Sequence, residues 1–249
     1  MVIMLGPAGC GKTSLAATLG KWITKTQFIR VGYVNLDPGV KVLPYKPDVD
    51  VREYVTVDKV MQKFGLGPNG ALIKSVDIAV EYKDEIIDKV SKLTFPYIIV
   101  DTPGQMELFL FREAGPVFIE ELRKVGYPVV TVIYDPLSAS RAQDIASLKL
   151  LSLVVQLRLG VDVVPVINKA DILEEDSKVV KMINSHEYLM KKISEEEGVY
   201  SEVAERMLSV LEEFKLATRI PCVSAKTGEG IEELYDMLHE IYCSCGDMT

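Results

Sequence analysis

Residues 6–13 of the chain, GPAGCGKT, carry the first group able to do chemistry, because they fit the pattern G-x-x-x-x-G-K-[ST]. Glycines in such a loop let the backbone turn tightly, so that its N–H groups and the start of the next helix converge on phosphate oxygens. We predict that Lys12 contacts the β- and γ-phosphates of a nucleotide and that the Thr13 hydroxyl is a ligand of Mg²⁺. The alternative is a glycine-rich turn that binds nothing. The predicted phosphate-binding residues are Gly9, Cys10, Gly11, Lys12, Thr13 and Ser14.

A second group, DTPGQ, follows an apolar run and begins at Asp101. A phosphate loop of this kind needs an acid at the tip of a neighbouring strand, and we predict that Asp101 contacts Mg²⁺ directly or through water. The Gly104 amide is predicted to meet the γ-phosphate, where a flexible glycine permits switching on hydrolysis. Gln105 is predicted to orient the attacking water. An acid and a glycine after a strand are common, so this interpretation depends on the phosphate loop.

A third group, NLDPG, ends another apolar run and places Asp37 at the same edge of a predicted sheet. Asp37 is predicted to hold a metal-bound or attacking water and so belongs to the metal group with Thr13 and Asp101. The alternative is an Asp-Pro-Gly turn stabilised by the aspartate's own side chain.

Two further strings predict a site for a base. In NKAD, the Asp171 carboxylate can accept from both N1–H and the exocyclic amine of guanine, a donor pair that adenine lacks. Asn168 is predicted to join this loop to the phosphate loop, and the Lys169 stem to cover one face of the base. In SAK, the Ala225 amide can donate to guanine O6. The predicted base-binding residues are Asn168, Lys169, Asp171, Ser224, Ala225 and Lys226.

The elements that must position these groups are short β-branched strands alternating with longer helices. This alternation predicts an α/β fold, a doubly wound and mainly parallel sheet with helices on both faces. The predicted strands are Val2 to Leu5, Ile29 to Asn35, Tyr97 to Asp101, Val129 to Tyr134, Val163 to Asn168 and Ile220 to Ser224. The predicted helices are Lys12 to Thr26, Asp77 to Leu93, Met106 to Val125, Ser138 to Leu159 and Gly230 to Tyr242.

Two inserts interrupt the alternation, at residues 48–70 and 174–215. The second is almost wholly helical, and its apolar spacing predicts two helices that pack on the domain. Their predicted apolar faces consist of Val179, Ile183, Met190 and Ile193, and of Val203, Met207, Val210 and Phe214. No repeat or linker is evident, so residues 1–249 are predicted to form one domain.

Composition narrows the classes of function. The 249 residues are 48% hydrophobic and 26% charged, which excludes a disordered or fibrous chain. The net charge of −8 disfavours non-specific binding to nucleic acid, although it permits a local pocket for one phosphorylated ligand. No run is apolar enough to cross a membrane, and no signal peptide is apparent, so we expect a cytoplasmic protein.

The four cysteines are too few for a disulfide framework in a chain of this length. Cys10 fills a variable loop position and is expected to matter little. Cys243 and Cys245, with His239 one turn earlier, resemble a metal site but lack an obvious fourth ligand, so an incidental role is favoured.

The motifs GPAGCGKT, DTPGQ, NKAD and SAK, in that order, resemble a P-loop GTPase. The additional segment Gly67, Pro68 and Asn69 is similar to the signature of the GPN-loop GTPase family, and the resemblance extends over essentially the whole chain. Taken alone, Gly-Pro-Asn-Gly is equally well a turn. The GPN-loop GTPases belong to the SIMIBI class of nucleotide switches. The septum-positioning ATPases of that class use a lysine near the start of the phosphate loop, where this chain has Pro7, and this difference argues against that sister family.

Family resemblance implies a constitutive homodimer in which Asn69 acts in trans on the partner's phosphates. It also implies GTP and GDP as ligands with Mg²⁺, and an unknown protein client, since eukaryotic members are associated with RNA polymerase assembly and transport. Neither direct nucleic-acid binding nor a membrane is implied. The sequence does not choose an arginine finger among Arg30, Arg52, Arg112 and Arg141.

The leading hypothesis is hydrolysis of GTP to GDP and phosphate as a conformational switch, with Lys12, Asp37, Asp101, Gln105 and Asn69 as its catalytic residues. A P-loop kinase is a second possibility, but it predicts an arginine-rich lid and no guanine-selective motif. A third is a scaffold that binds guanine nucleotide and hydrolyses it slowly or not at all. The run Phe109 to Phe111 is either core or part of a dimer interface.

Overall fold

Six parallel strands form one sheet in the computed structural model, which describes residues 1–173, 178–195, 198–213 and 220–246. Their spatial order is β3-β2-β4-β1-β5-β6, so the chain runs from β1 out to β3 at one edge, returns to β4, and then crosses to β5 and β6 on the other side of β1, as in a doubly wound fold. The strands are β1 (Val2–Leu5), β2 (Val31–Asn35), β3 (Val49–Asp50), β4 (Tyr97–Asp101), β5 (Val129–Tyr134) and β6 (Asp162–Ile167). The predicted α/β class is therefore confirmed.

Helices cover both faces of this sheet. The described α-helices are α1 (Lys12–Trp22), α2 (Val57–Phe64), α3 (Pro68–Glu81), α4 (Lys83–Ser91), α5 (Met106–Leu110), α6 (Ala114–Arg123), α7 (Ala142–Leu159), α8 (Lys178–Asn184), α9 (His186–Ser194), α10 (Val199–Glu213) and α11 (Ile231–Gly246). On β1, Val2 and Met4 pack in the cluster with α1 and α11, whereas Ile3 and Leu5 pack in the cluster with α3, α4, α6 and α7. Burial on both faces explains why the strands are almost continuously apolar.

The strand predicted at residues 220–224 does not form as a full strand. Only Cys222 pairs with the sheet, through a single parallel bridge to Ile167. Pro221 has no N–H to donate, and the Ser224 N–H bonds within the turn that follows, so the ladder cannot extend in either direction. The two-residue strand β3, inside the first insert, was not predicted.

Three predicted helices have different limits. The helix predicted at 77–93 begins nine residues earlier, at Pro68, and is divided at Tyr82. The helix predicted at 106–125 is divided into α5 and α6. In one continuous helix, the Pro116 ring would clash with the carbonyl group of residue 112, four positions earlier. The helix predicted at 138–159 begins at Ala142, after a 3₁₀ turn at Pro136–Ala139.

The described residues of the second insert form three helices rather than the predicted two. Ser185 separates α8 from α9 because its side chain accepts the Tyr188 N–H and so caps a new helix. Among the α10 side chains that the structure describes, the buried ones are Ser201, Ala204 and Leu208. The predicted apolar face was therefore wrong by one position: Val203, Met207 and Val210 are 40–45% exposed, and Phe214 lies outside the described residues.

The run that follows DTPGQ is divided between core and surface. Phe109 and Leu110 are buried, whereas Phe111 is 54% exposed. None of the helices in the described ranges is long and apolar enough to span a membrane.

Candidate nucleotide-binding site

The phosphate loop joins β1 to α1 and lies where the carboxyl ends of β1, β4 and β5 meet. Gly11 has a φ of +92°, and a Cβ built on it would lie 2.4 Å from Asn168 Nδ2. A Cβ on Gly6 would lie 2.3 Å from the Ile133 carbonyl oxygen. A side chain at either position would clash with a neighbouring segment, so both positions require glycine for space as well as for the tight turn of the backbone.

The Lys12 ammonium lies at the centre of this loop and is 6% exposed. Its Nζ donates to the carbonyls of Gly6 (2.8 Å), Pro7 (3.0 Å) and Gly104 (2.9 Å). The third of these bonds crosses from the phosphate loop to the DTPGQ segment. Lys12 is thus aimed at the space between the two segments, and three carbonyls satisfy its donors without a ligand.

The Cys10 thiol is buried in the core rather than exposed in the loop. A Cβ on Gly6 would lie only 2.8 Å from Cys10 Sγ, so the thiol fills the space beside that glycine. Burial raises the pKa of Cys10, with Lys12 opposing the shift. The expectation that this side chain matters little is wrong for packing, because it forms part of the loop's base.

Asp101 ends β4 and is almost completely buried. Its Oδ2 accepts a hydrogen bond from the Tyr45 hydroxyl at 3.0 Å, whereas its Oδ1 has no hydrogen-bond partner among the described residues. Burial raises the pKa of Asp101 to about 6, opposed by the hydroxyls of Thr13 and Tyr45 and supported by nearby Asp37. A buried carboxylate oxygen without a partner is costly, so Oδ1 is a vacant acceptor in need of a cation or donor.

Mg²⁺ fits this group of side chains. Hard oxygen donors are its preferred ligands, and the Asp101 Oδ1, the Thr13 hydroxyl and the Asp37 carboxylate are of that type. No cluster of three or more His, Cys, Asp or Glu that could hold a metal ion occurs among the residues that the structure describes.

Asp37 lies in a turn after β2. Its Oδ1 accepts the Gly39 N–H at 2.8 Å, so the hydrogen bond of a simple Asp-Pro-Gly turn is present. Its Oδ2 points toward Gly104, where an added Cβ would be 4.0 Å away. Burial raises the pKa of Asp37, opposed by the Gly39 N–H and by Lys12. The Asp37 carboxylate can therefore stabilise the Asp-Pro-Gly turn through Oδ1 and face the phosphate site through Oδ2.

A buried relay that sequence reasoning missed fixes the Asp37 turn. Asn35 Oδ1 accepts the Asp37 N–H at 3.0 Å, and Asn35 Nδ2 donates to Asp50 Oδ1 at 2.8 Å. Asp50 is held by the Arg52 guanidinium, with Nη2 2.6 Å from Oδ2. Arg52 Nη1 also donates to the carbonyls of Val40 and Lys41, so the relay holds both ends of the turn.

Gly104 and Gln105 lie directly after the buried β4 and Thr102 segment. Thr102 Oγ1 donates to the Met4 carbonyl at 2.6 Å, which ties the start of DTPGQ to β1. Gln105 is half-buried and occupies the position before the first residue of α5. The structure therefore places Gln105 next to the Lys12–Gly104 contact.

Asn168 connects the base loop to the phosphate loop. Its Nδ2 donates to the Cys10 carbonyl at 2.9 Å, the tie that the sequence predicted. Its Oδ1 accepts the Ala225 N–H at 3.0 Å, so the predicted donor to guanine O6 is engaged by Asn168 in this structure. Thr18 on α1 adds a bond to the Ala225 carbonyl.

Asp171 lies beside the SAK segment as predicted. Its Oδ1 accepts from the Ser224 hydroxyl at 2.6 Å, and its Oδ2 is 3.7 Å from Lys226 Nζ. The Ser224 hydrogen bond lowers the pKa of Asp171, so the carboxylate is charged and remains an acceptor at neutral pH. Lys169 has a left-handed backbone and its Nζ is paired with Asp135, a residue that sequence reasoning missed.

The segment Gly67 to Asn69 is the start of a helix rather than a loop or a β-turn. Gly67 precedes α3, and Pro68 is its first residue, where a missing N–H costs nothing. All three residues are exposed. The helix they begin approaches the Asp37 turn, because a Cβ on Gly39 would lie 3.4 Å from Leu72 Cδ1.

Each candidate arginine finger is engaged within the chain. Arg52 pairs with Asp50 and Arg112 with Asp77, the latter through Nη2 at 3.0 Å. The other two are Arg141, which pairs with Asp144, and Arg30, which lies over the Phe95 ring. None of them is positioned at the phosphate loop by its described contacts.

The C-terminal cysteines lie away from this site. Cys243 Sγ is 3.5 Å from His239 Nε2, and His239 Nδ1 is 3.3 Å from the Tyr97 hydroxyl, near the first residue of β4. The side chain of Cys245 lies outside the described residues.

A strand, glycine-rich loop and helix, with a lysine in the loop and a buried acid at the end of an adjacent strand, define a P-loop nucleotide-binding protein. A family model described as "conserved hypothetical ATP binding protein" matches residues 4–244. The GPN-loop GTPase PAB0955 of Pyrococcus abyssi is 39% identical to this chain, with 100% of each chain covered. The chain belongs to the GPN-loop GTPase family.

Two further comparisons agree with this assignment. The crystal structure of PAB0955, described as a GTPase in apo form, has a TM-score of 0.88 at 38% identity and covers 98% of each chain. GPN-loop GTPase 1 of Dictyostelium discoideum is 30% identical over 95% of this chain and 60% of its own length.

Proposed function

We propose that this protein binds GTP with Mg²⁺ and hydrolyses it to GDP and phosphate. The observation that carries the proposal is the convergence of Lys12 Nζ, the Gly104 carbonyl, the Asp37 carboxylate and the vacant Asp101 Oδ1 at one edge of the sheet. The relatives' names, which are those of GTPases, support the same reaction.

The choice of guanine over adenine rests on Asp171. The family model's description names ATP, whereas the relatives are named as GTPases. A charged carboxylate accepts both N–H groups of guanine, and facing adenine it would meet the acceptor N1, so the Asp171 geometry supports GTP.

In the proposed mechanism, Lys12 exchanges its carbonyl partners for the β- and γ-phosphate oxygens. Thr13 and Asp101 would hold Mg²⁺, which when bound would supply positive charge that stabilises the transferring phosphoryl group. The Gly104 N–H donates to the γ-phosphate, and Gln105 and Asp37 orient the attacking water. Binding of GTP would therefore replace the bond from Lys12 to the Gly104 carbonyl by the bond from the Gly104 N–H to the γ-phosphate, and hydrolysis would release the DTPGQ segment.

We propose further that the protein acts as a homodimeric, cytoplasmic switch for a protein client in the assembly of a larger complex. Membership of the family and the exposure of Gly67, Pro68 and Asn69 support this part of the proposal. In such a dimer, the Asn69 amide would be available to donate to phosphate oxygens of the partner, because Asn69 is exposed.

The test is phosphate release from GTP and Mg²⁺ by the purified protein, with and without a large excess of ATP. Release that ATP does not suppress is the expected result. Suppression by ATP would contradict the guanine assignment, and tight binding of GTP without release would favour the non-hydrolysing scaffold.

Replacement of Gln105 by alanine separates catalysis from binding. Because Gln105 is proposed to orient water and not to hold the nucleotide, we expect kcat to fall about a hundredfold while the Kd for GTP stays within about twofold. Single-turnover kinetics and fluorescent-nucleotide binding measure the two quantities. The control is Gln62→Ala, an exposed glutamine on α2. Equal loss of both quantities would exclude the water-orienting role.

A further inference from the structure

The Tyr45 hydroxyl donates a hydrogen bond to the Asp101 carboxylate, although the two residues are 56 positions apart in sequence. Tyr45 lies in the segment between β2 and β3, beyond the NLDPG group that ends at Gly39. The Tyr45 hydroxyl bonds to Oδ2 at 3.0 Å and leaves Oδ1 without a partner. The two oxygens of the Asp101 carboxylate therefore differ: Oδ2 accepts a hydrogen bond from a tyrosine in another segment, and Oδ1 accepts none from the described residues.

The position of Tyr45 is fixed independently of Asp101. Its ring stacks on Tyr33 of β2, with centroids 4.6 Å apart and ring planes 15° apart. The segment's end is fixed to the same residue, because the Tyr33 N–H donates to Asp48 Oδ2 and the Asp48 N–H donates to the Tyr33 carbonyl, both at 2.8 Å. The ring stack and the hydrogen bonds between Tyr33 and Asp48 therefore hold the Tyr45 hydroxyl beside Asp101, at the end of β4.

A carboxylate held through one oxygen has a restricted rotation about its last bond. Asp101 is 1% exposed, so water cannot replace the missing partner of Oδ1. Thr13, the predicted hydroxyl ligand, interacts with the same carboxylate. The free oxygen is consequently presented to the place where Thr13 and Asp37 supply the other protein oxygens.

We propose that Tyr45 is a positioning residue for the metal, which holds Asp101 Oδ2 so that Oδ1 is presented to Mg²⁺. The inference rests on the proposed function, because it takes Asp101 as a ligand of the metal. Outer hydrogen-bond partners of metal ligands typically contribute about 10- to 100-fold to metal affinity. In this role Tyr45 acts through Asp101, so its loss is expected to weaken metal binding and to leave nucleotide binding without metal unchanged.

The experiment compares Tyr45→Phe with Tyr33→Phe, using Mn²⁺ as the probe. Both variants lose one hydroxyl and keep the ring stack, but only the first loses the bond to Asp101, since no hydrogen bond of the Tyr33 hydroxyl is found in the described part of the chain. Fluorescent GDP binding is first measured in EDTA, and Mn²⁺ binding to the GDP complex is then followed by electron paramagnetic resonance. We expect Tyr45→Phe to weaken Mn²⁺ binding about tenfold, with GDP affinity in EDTA unchanged and Tyr33→Phe like the wild type.

Other outcomes separate the inference from the function. If the wild type binds GDP and Mn²⁺ and Tyr45→Phe binds Mn²⁺ equally well or more tightly, the positioning role is wrong and the proposed function stands. If Tyr33→Phe loses as much Mn²⁺ affinity as Tyr45→Phe, the stack acts only structurally and the inference is overturned. If the wild type does not bind GDP, the proposed function fails, and the inference with it.

Discussion

Replacement of Asp171 by asparagine is expected to weaken GTP binding by about a hundredfold or more and to improve binding of XTP. In the proposed complex the carboxylate accepts two N–H groups of guanine, and hydrogen bonds to a charged group are each worth about 1.5–3 kcal/mol. An asparagine amide presents an acceptor to one of those N–H groups and a donor to the other. Xanthine has a carbonyl where guanine has its amine, so the amide matches it. Competition of GTP, XTP and ATP against a fluorescent nucleotide measures the three affinities.

This substitution is conservative enough to leave the loop intact. Ser224 Oγ bonds to Asp171 Oδ1 at 2.6 Å, and the asparagine carbonyl can accept the same bond. The control is Asp236→Asn, an exposed carboxylate on α11, and thermal unfolding should be nearly unchanged in both variants. Affinities for GTP and XTP that stay at the wild-type values would show that Asp171 does not contact the base.

Replacement of Lys12 by methionine is expected to lower phosphate release by about 10²–10³-fold, the usual effect of removing one donor from a developing charge. Methionine keeps most of the stem's volume and removes only the charge and its donors. In the ligand-free protein the same change leaves the carbonyls of Gly6, Pro7 and Gly104 without their common donor. The contact between the phosphate loop and the DTPGQ segment is then lost before any nucleotide binds.

Two measurements distinguish these consequences. Single-turnover phosphate release reports the catalytic loss, and hydrogen exchange of the Gly104 region reports the loosened contact. Lys21→Met on the exposed side of α1 is the matched control, because it removes the same charge from the same helix. A Lys12→Met variant that still hydrolyses GTP at the wild-type rate would exclude this lysine from the reaction.

The strands and the phosphate loop were predictable because their signals are local. A run such as residues 129–134 is apolar at every position except Thr131, and such a run is stable only when both of its faces are covered. Residues 6–13 are recognisable because glycine and lysine are needed at fixed spacing. Where prediction failed, the deciding contact was remote: the face of α10 depends on the helices it packs against, and Pro221 ends a ladder whose other strand is more than fifty residues away.

What the sequence alone determined is the identity and order of the groups at the site: Lys12 and Thr13, Asp37, Asp101 and Asp171 all lie in motifs that can be read without a structure. What only the tertiary structure decided is how those groups are held. Tyr45 on Asp101 and Asn35 with Asp50 behind Asp37 are contacts between segments far apart in the chain or hidden in its core. Local spacing specifies which side chains reach the edge of a sheet. The orientation of a buried carboxylate depends on partners that only folding brings to it.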